Sequence, residues 1–199
     1  MIFYKTDCSF KELWYNEIMK KLDEMTLQEL WQLFPIVLSE HKMCWADWYN
    51  EEVVQLKNIL PKDTKYHHIG STAIKGIMAK PIIDILIIVN SIKELKQAAS
   101  LLEKYGYIKM SASENRVSLN KGYTENGFAE KVFHLHIRLK GDEDEIYFRD
   151  YLNLHPDIAK EYEQLKLNLC GKFKNNRDAY TEAKTDFVKR ITDLAKQKG

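Results

Sequence analysis

The longest apolar run in the chain covers Ile82 to Val89 and contains one charged residue, Asp84. A near-continuous apolar run rich in β-branched residues predicts a central strand that is buried on both faces. A shorter run from Tyr66 to Ile69 predicts a second strand, and a Gly-Ser-Thr turn follows it. A carboxylate inside a buried strand is unfavourable unless it is paired or faces a ligand. A small-residue turn after one strand and an acid on the next therefore suit a phosphate and a divalent cation.

Several other segments carry apolar residues at three- and four-residue spacing, which predicts amphipathic helices. Two of these helices begin at capping boxes, one formed by Thr26 with Glu29 and the other by Ser91 with Glu94. The predicted helices cover residues 9–24, 27–34, 45–60, 92–105, 146–154, 156–171 and 178–196.

The remaining strands are predicted at residues 107–110, 116–120 and 130–139, with a short edge strand at 36–39. Residues 121–129 contain turn formers and are expected to join two antiparallel strands. The elements predict an α/β (α+β) fold, in which a small mixed sheet is flanked by helices, with helical extensions at both ends. Alternation along the 130–139 strand places five residues on one face, namely Glu130, Val132, His134, His136 and Arg138.

Composition narrows the class of protein. The chain has 199 residues, with 30 Lys and Arg against 29 Asp and Glu, so its net charge of +1 predicts no nucleic-acid partner. Three cysteines, far apart in sequence, are expected to be free thiols in a reducing compartment. The start of the chain does not resemble a signal peptide, and the longest apolar run is too short to cross a bilayer. We therefore expect a cytoplasmic protein with no membrane partner.

The candidate chemistry lies on the two strands described above and the turn between them. Gly70, Ser71 and Thr72 could offer backbone amides and hydroxyls to a phosphate, although such turns are common without a ligand. His134 and His136 point the same way on their strand. They could ligate zinc or another borderline metal, act as an acid/base pair, or line a polar pocket.

Further cationic and polar side chains on the later helices could reach an anionic ligand. Residues of this kind are more often on the surface or in ion pairs along a helix, and the sequence does not separate the two cases. His67 and His68 are adjacent, so on a strand they face opposite ways and at least one is expected to be structural. The side chains on the later helices that could reach an anionic ligand are Arg149, Asp150, Lys166, Tyr180 and Lys184.

The segment HIGSTAIKGIMAKPIIDILIIV resembles the GrpB family, small bacterial proteins grouped with the nucleotidyltransferase superfamily on the polymerase-beta-like fold. The resemblance continues through NKGYTENGFAEKVFHLHIRL, FRDYLNLHPDIAKEYEQLK and YTEAKTDFVKRI, and it reaches back to ELWQLFPIVLSEH and WADWYNEE. It covers nearly everything from about Met25 onward. We therefore expect an N-terminal helical extension at residues 1–24 and a GrpB-like domain at 25–199, which includes C-terminal helices at 145–197.

The resemblance implies where a site would lie. In the superfamily a Gly-Ser turn holds nucleotide phosphates, and three carboxylates on two strands bind two divalent cations for phosphoryl transfer. Gly70 and Ser71 match the turn, and Asp84 matches the first carboxylate. Leu86 stands where the second carboxylate would be, and the later strand offers histidines instead of an acid. Magnesium prefers oxygen ligands, so ordinary two-magnesium transfer is not predicted.

Three functions remain open on these residues. The first is an enzyme that acts on a nucleotide or other phosphate-bearing small molecule, with catalytic residues Asp84, His134 and His136. The second is a non-catalytic domain that binds a nucleotide or coenzyme, and the third is an interaction module with a degenerate site, for which a homo-oligomer is an option. In the enzyme, Mg²⁺, Mn²⁺ or Zn²⁺ would bind Asp84 with a histidine, His136 for example. Ser71, Arg138 and Arg149 would contact phosphate.

Overall fold

The computed structural model describes residues 20–198. A short 3-10 turn at Leu22–Glu24 precedes α1, and a second one at Ser71–Ala73 follows β1. The helices are α1 (Leu27–Leu33), α2 (Cys44–Ile59), α3 (Ile92–Lys104), α4 (Asp144–Leu154), α5 (Pro156–Lys172), α6 (Arg177–Glu182) and α7 (Thr185–Lys198). The strands are β1 (Lys65–Ile69), β2 (Ile83–Val89), β3 (Ile108–Ala112), β4 (Arg116–Thr124) and β5 (Gly127–Leu139).

The five strands form one mixed sheet in the order β1-β2-β5-β4-β3. Strands β2 and β5 are parallel, and the other neighbouring pairs are antiparallel. The parallel register places Asp84 beside His134 and Leu86 beside His136. Because side chains alternate between the faces of a strand, Asp84 and both histidines lie on the same face of the sheet. The predicted mixed α/β architecture is confirmed.

The opposite face of the sheet carries the main hydrophobic core. Alternate residues of β2, including Ile83, Ile85 and Ile87, are completely buried there against α2 and α3. Trp45 and Leu56 of α2 are also completely buried, so this tryptophan serves packing, as its helical spacing predicts. The burial of apolar surface from two helices and four strands stabilises the sheet. We call the other face, which carries Asp84, His134 and His136, the site face.

The C-terminal helices pack on the site face and hold the connection between β1 and β2. A second core cluster joins Ile74 and Ile77 of this connection to buried residues of α4, α5 and α7. Lys166 of α5 is 2% exposed, and its ammonium group donates a hydrogen bond to the Met78 carbonyl. Lys160, also on α5, donates to the Gly76 carbonyl at 2.8 Å. These contacts fix the path of the chain that leads into β2.

Several sequence expectations require correction. Residues 36–39 form no strand but make an isolated bridge between Ser39 and Ala79. The hairpin turn is confined to residues 125–126, because β4 and β5 extend into the segment expected to be a loop. The last predicted helix is two helices, α6 and α7, and α5 continues past Gly171 to Lys172. The helix predicted at residues 9–24 lies mostly outside the described residues.

Both predicted N-caps are present: the hydroxyls of Thr26 and Ser91 accept hydrogen bonds from the backbone N–H groups of Glu29 and Glu94. At the second cap the Glu94 carboxylate accepts from the N–H of Asn90 instead of closing a box on Ser91. Within residues 20–198, no helix is long and apolar enough to cross a membrane.

Candidate functional site

The side chain of Asp84 projects from β2 on the site face and lies against the turn that follows β1. Gly70 has φ +69°, a conformation that side-chain-bearing residues rarely adopt. A Cβ at Gly70 would lie 2.9 Å from Asp84 Cγ and would overlap the carboxylate. The glycine therefore permits a close approach between the turn and the carboxylate. The Gly-Ser-Thr turn and Asp84, which are separate features in the sequence, are in contact in the fold.

Two histidines face the Asp84 carboxylate. His136 Nε2 lies 3.1 Å from Asp84 Oδ1, and His134 Nδ1 lies 3.4 Å from the same oxygen. Burial alone would raise the pKa of Asp84, but hydrogen bonds and charge interactions with the two histidines outweigh it and hold that pKa far below its usual range. Burial lowers the pKa of His134, although Asp84 opposes the change. The carboxylate is consequently ionised at neutral pH.

Tyr123 extends this cluster on the side away from Asp84. Its hydroxyl lies 2.8 Å from His134 Nε2, and Arg177 Nη2 donates to it at 2.9 Å. The Tyr123 ring packs against Phe34 and Phe128, with ring centroids 4.7 and 5.2 Å apart. Neither Tyr123 nor Arg177 was predicted from the sequence as a site residue. Neither has a local signal, because the contact depends on how α6 packs against β4.

The other residues of the Gly-Ser-Thr turn have different surroundings. Ser71 lines the cavity, and its hydroxyl interacts with that of Tyr162. Thr72 is buried, and its hydroxyl donates to the Ile82 carbonyl at 3.1 Å while it contacts His68 Nε2 at 3.0 Å. The Thr72 hydroxyl thus already has two partners that brace the turn against β2. The Ser71 hydroxyl has one such partner, Tyr162, and so keeps hydrogen-bonding capacity for a ligand.

Arg138 and Arg149 do not line the cavity. The Arg138 guanidinium is buried, donates to the Val117 and Ile137 carbonyls, and lies 3.5 Å from a Glu145 carboxylate oxygen. Arg149 lies within α4, where it donates to the His68 carbonyl. The structure therefore places both arginines in contacts within the protein. Glu130, a further candidate from β5, is exposed and likewise does not line the cavity.

Lysines line the cavity instead, and Lys80 and Lys184 are two of them. The ammonium groups of Lys80 and Lys184 lie over the Tyr180 ring, 5.3 and 4.3 Å from its centroid. Burial lowers the pKa of Lys80 to about 7, with a smaller contribution from Lys184 and Arg177. Burial also lowers the pKa of Lys184 to about 8. Lys80 was missed in the sequence, although its place in an apolar segment just before β2 is a usable signal.

A cavity of about 1390 Å³ connects these groups. It lies between the site face of the sheet and the C-terminal helices, and it exceeds the usual size of a small-molecule pocket. Polar groups converge at the Asp84 end, while Trp31, Phe34 and Phe148 contribute apolar wall.

The donor atoms at the Asp84 end suit one borderline divalent metal. Oxygen and nitrogen atoms of Asp84, His134 and His136 lie within 4.8 Å of one another, and this is the only such group of three among the described residues. One carboxylate with imidazoles favours zinc, iron or manganese over magnesium. Leu86 is completely buried in a small cluster with Ile69 and Ile88, so no second carboxylate is available there. The residues present do not fit a two-magnesium centre.

Comparison with known proteins identifies close relatives. The GrpB protein family matches residues 35–194 of the chain. The glutamate-rich protein GrpB of Alkalihalophilus pseudofirmus is 37% identical over 162 residues, which are 78% of this chain and 93% of that protein. The UPF0157 protein YqkA of Bacillus subtilis is 34% identical over 180 residues, or 86% of this chain and 51% of that protein. The chain thus spans about half the length of YqkA.

Solved structures agree with the sequence comparisons. The crystal structure of conserved protein GrpB from Enterococcus faecalis matches with a TM-score of 0.71 at 31% identity, over 81% of this chain and 98% of that chain. The Cid1 poly(U) polymerase matches with a TM-score of 0.47 at 14% identity, over 74% of this chain and 47% of that chain, and this likeness supports no statement on activity. The chain shares its fold with the GrpB structure from Enterococcus faecalis and belongs to the GrpB family.

Proposed function

We propose that this protein binds a nucleotide or another phosphate-bearing small molecule in the cavity and acts on it at a single divalent metal. One observation carries the proposal. Cationic side chains without an acidic partner converge on the cavity whose inner end holds the group formed by Asp84, His134 and His136. A phosphate ester of a small molecule would supply both the anion that the cations lack and oxygen ligands for a metal.

The cations favour a phosphate ligand because they make no ion pair and the charge of Asp84 only partly offsets the burial of the two lysines. Within residues 20–198, the ammonium groups of Lys80 and Lys184 make neither a hydrogen bond nor an ion pair, and both contact the Tyr180 ring. Partly burying two ammonium groups without an ion pair is unfavourable, as their lowered pKa values indicate. The Arg177 guanidinium adds a third positive charge to the lining. A bound phosphate would neutralise all three.

The metal would be held by Asp84 and a histidine at the inner end of the cavity. When bound there, a divalent ion supplies Lewis acidity that polarises a phosphoryl oxygen. Ser71 would contact the phosphate beside it, because it lines the cavity and the Thr72 hydroxyl is already bonded to the Ile82 carbonyl and His68. Gly70 would keep the turn close enough to Asp84 for both groups to contact one ligand.

A second candidate is a binding domain without turnover, and the completely buried Leu86 favours it. With one carboxylate in place of three, the site lacks the ligands for the second ion that two-metal phosphoryl transfer uses. The two candidates share the ligand and differ in whether a phosphoryl bond is broken. Product analysis by chromatography after incubation with nucleoside triphosphates and Mn²⁺ separates them.

Ligand binding tests what the two candidates have in common. Nucleoside triphosphates, coenzyme A and inorganic phosphate should be screened by thermal shift with and without Mn²⁺ or Zn²⁺, and hits measured by calorimetry. We expect Lys184→Met to weaken binding by on the order of tenfold, the loss of one charge-assisted contact. Lys75→Met is the matched control, since Lys75 is exposed and lies outside the cavity. No stabilisation by any phosphate compound would contradict the proposal.

A further inference from the structure

We propose that Tyr123 sets the metal specificity of the centre by keeping His134 out of the coordination sphere. The metal would then be held by Asp84 and His136 alone among the three candidate ligands. The inference rests on the proposed metal site and specifies which of its residues bind the ion. It follows from the direction of the hydrogen bonds that link Arg177, Tyr123, His134 and Asp84.

The Tyr123 hydroxyl accepts a hydrogen bond from Arg177. Arg177 can only donate hydrogen bonds, so the Tyr123 oxygen accepts from Arg177 Nη2 at 2.9 Å. The guanidinium also lies over the rings of Tyr123 and Phe128, at 5.5 and 5.8 Å from their centroids. With its ring packed against Phe34 as well, Tyr123 has a fixed hydroxyl position. Its one proton remains to be placed.

The ring of His134 lies between Asp84 and Tyr123. The Asp84 carboxylate can only accept, and His134 Nδ1 faces its Oδ1 atom at 3.4 Å. A bare nitrogen there would set two lone pairs against each other, so Nδ1 carries a proton. In the neutral ring Nε2 is then an acceptor, and the Tyr123 hydroxyl donates to it at 2.8 Å. If the ring were charged, Nδ1 would carry a proton as well.

Both nitrogens of His134 are therefore engaged, and the one that faces Asp84 has no lone pair for a metal. His136 differs. Its Nε2 lies 3.1 Å from Asp84 Oδ1, and its Nδ1 makes no hydrogen bond with any residue between 20 and 198. Moving its proton to Nδ1 breaks no further contact and frees Nε2 to bind a metal. For His134 the same move requires the Tyr123 bond to reverse its direction.

This arrangement makes Tyr123 a positioning residue for metal choice. A centre with one carboxylate and one imidazole leaves its other positions to water and phosphate oxygens, which suits Mn²⁺. Addition of a second imidazole would shift preference towards Zn²⁺. The hydroxyl of Tyr123 thus protects a phosphate-binding centre from tight capture by zinc.

The test is to remove the hydroxyl and count the imidazoles. Zinc affinity is measured by competition calorimetry, and ligand number by zinc-edge X-ray absorption, for wild type and Tyr123→Phe. We expect one imidazole in wild type and two in Tyr123→Phe, with affinity tighter by on the order of tenfold. Tyr105→Phe is the matched control, because Tyr105 is 60% exposed and lies outside the cavity. Tyr105→Phe should match wild type in zinc affinity and in the number of imidazole ligands.

Two variants test the inference even if Tyr123→Phe does not fold. His134→Gln keeps an N–H donor for Asp84 and should alter zinc affinity by less than about threefold, while His136→Gln should weaken it by on the order of tenfold. Equal losses in both variants would overturn the inference, as would two imidazoles in wild type or no change in Tyr123→Phe. Absence of zinc binding in wild type and Tyr123→Phe would also overturn it. Phosphate binding at Lys184 is measured separately, so failure of the proposed function is distinguishable from failure of the inference on Tyr123.

Discussion

The backbone of Gly70 lies directly against the carboxylate of Asp84, so that the turn after β1 and the acid of β2 form one structural unit. The contact explains why a glycine in a left-handed conformation stands there, since any side chain would displace the carboxylate. Displacement would also disturb the oxygen that both histidines face. The geometry of the site therefore depends on a residue that itself offers no side chain.

Replacing Gly70 with alanine should damage both stability and the site. The Cβ meets Asp84 and the backbone keeps an unfavourable positive φ, so we expect the free energy of unfolding to fall by about 2 kcal/mol or more. Urea unfolding measures the loss, and calorimetry with Mn²⁺ measures the accompanying loss of metal affinity.

Gly76 provides the control for the Gly70 variant. Its φ is +70°, nearly the same as that of Gly70, but a Cβ added at Gly76 would have no other atom within 4 Å. Gly76→Ala should therefore lose only the roughly 1 kcal/mol of backbone strain and keep wild-type metal affinity. Equal losses in the two variants would show that the Asp84 contact has no effect.

Much of the site-bearing sheet could be predicted because its signals are local. The apolar run of β2 indicates burial on both faces, and the structure confirms it. Two-residue periodicity correctly placed His134 and His136 on one face of β5. The same periodicity included Arg138, but one more step along the strand takes its side chain to Glu145 and backbone carbonyls. A shared face does not imply a shared pocket.

The cationic side of the cavity could not be predicted in the same way. Lys80 and Lys184 are 104 positions apart in sequence and meet only because both approach the Tyr180 ring. Their convergence depends on the packing of α6 and α7 against the connection before β2, and no local pattern encodes it. Arg149 shows the converse, since its guanidinium satisfies a backbone carbonyl of β1.

Removing the charge of Asp84 should strongly weaken divalent metal binding. Asp84→Asn keeps the shape but loses an anionic ligand, and we expect Mn²⁺ affinity to fall by on the order of a hundredfold in calorimetry. The folded-state pKa of Asp84 is depressed, so its ionised form contributes stability at neutral pH, and the variant should also lose about 1–3 kcal/mol. Asp178→Asn, at an exposed acid of the cavity lining, is the control. Unchanged affinity in Asp84→Asn would remove Asp84 from the metal site.

Restoring a carboxylate at Leu86 should not create a magnesium centre. Leu86 is completely buried between Ile69 and Ile88, so Leu86→Asp would place an unpaired charge in an apolar cluster. We expect a loss of more than about 3 kcal/mol in the free energy of unfolding, and no gain in Mg²⁺ affinity. Leu86→Met conserves volume and should lose less than about 1.5 kcal/mol. A stable Leu86→Asp variant that binds Mg²⁺ would contradict this account of the site.

The two cavity lysines predict opposite effects of pH on stability and on ligand affinity. The pKa of Lys80 is about 7 in the folded protein, against an ordinary value of 10.5. Above pH 7 the unfolded chain therefore binds more protons at this residue than the folded chain, and stability rises with pH. The affinity for phosphate should instead fall over the same range, because the free cavity loses positive charge.

Lys80→Met should remove much of both trends. Between pH 7 and 9 we expect Lys80 to contribute about 1–2 kcal/mol to the rise in the free energy of unfolding, measured by urea titration at each pH. Lys184, whose pKa is about 8, should maintain a smaller rise in the variant. Lys75→Met, at an exposed lysine, should keep the full wild-type slope. If the slope were the same in Lys80→Met and wild type, Lys80 would not be a cation held without a counterion, and the phosphate site would lose its main support.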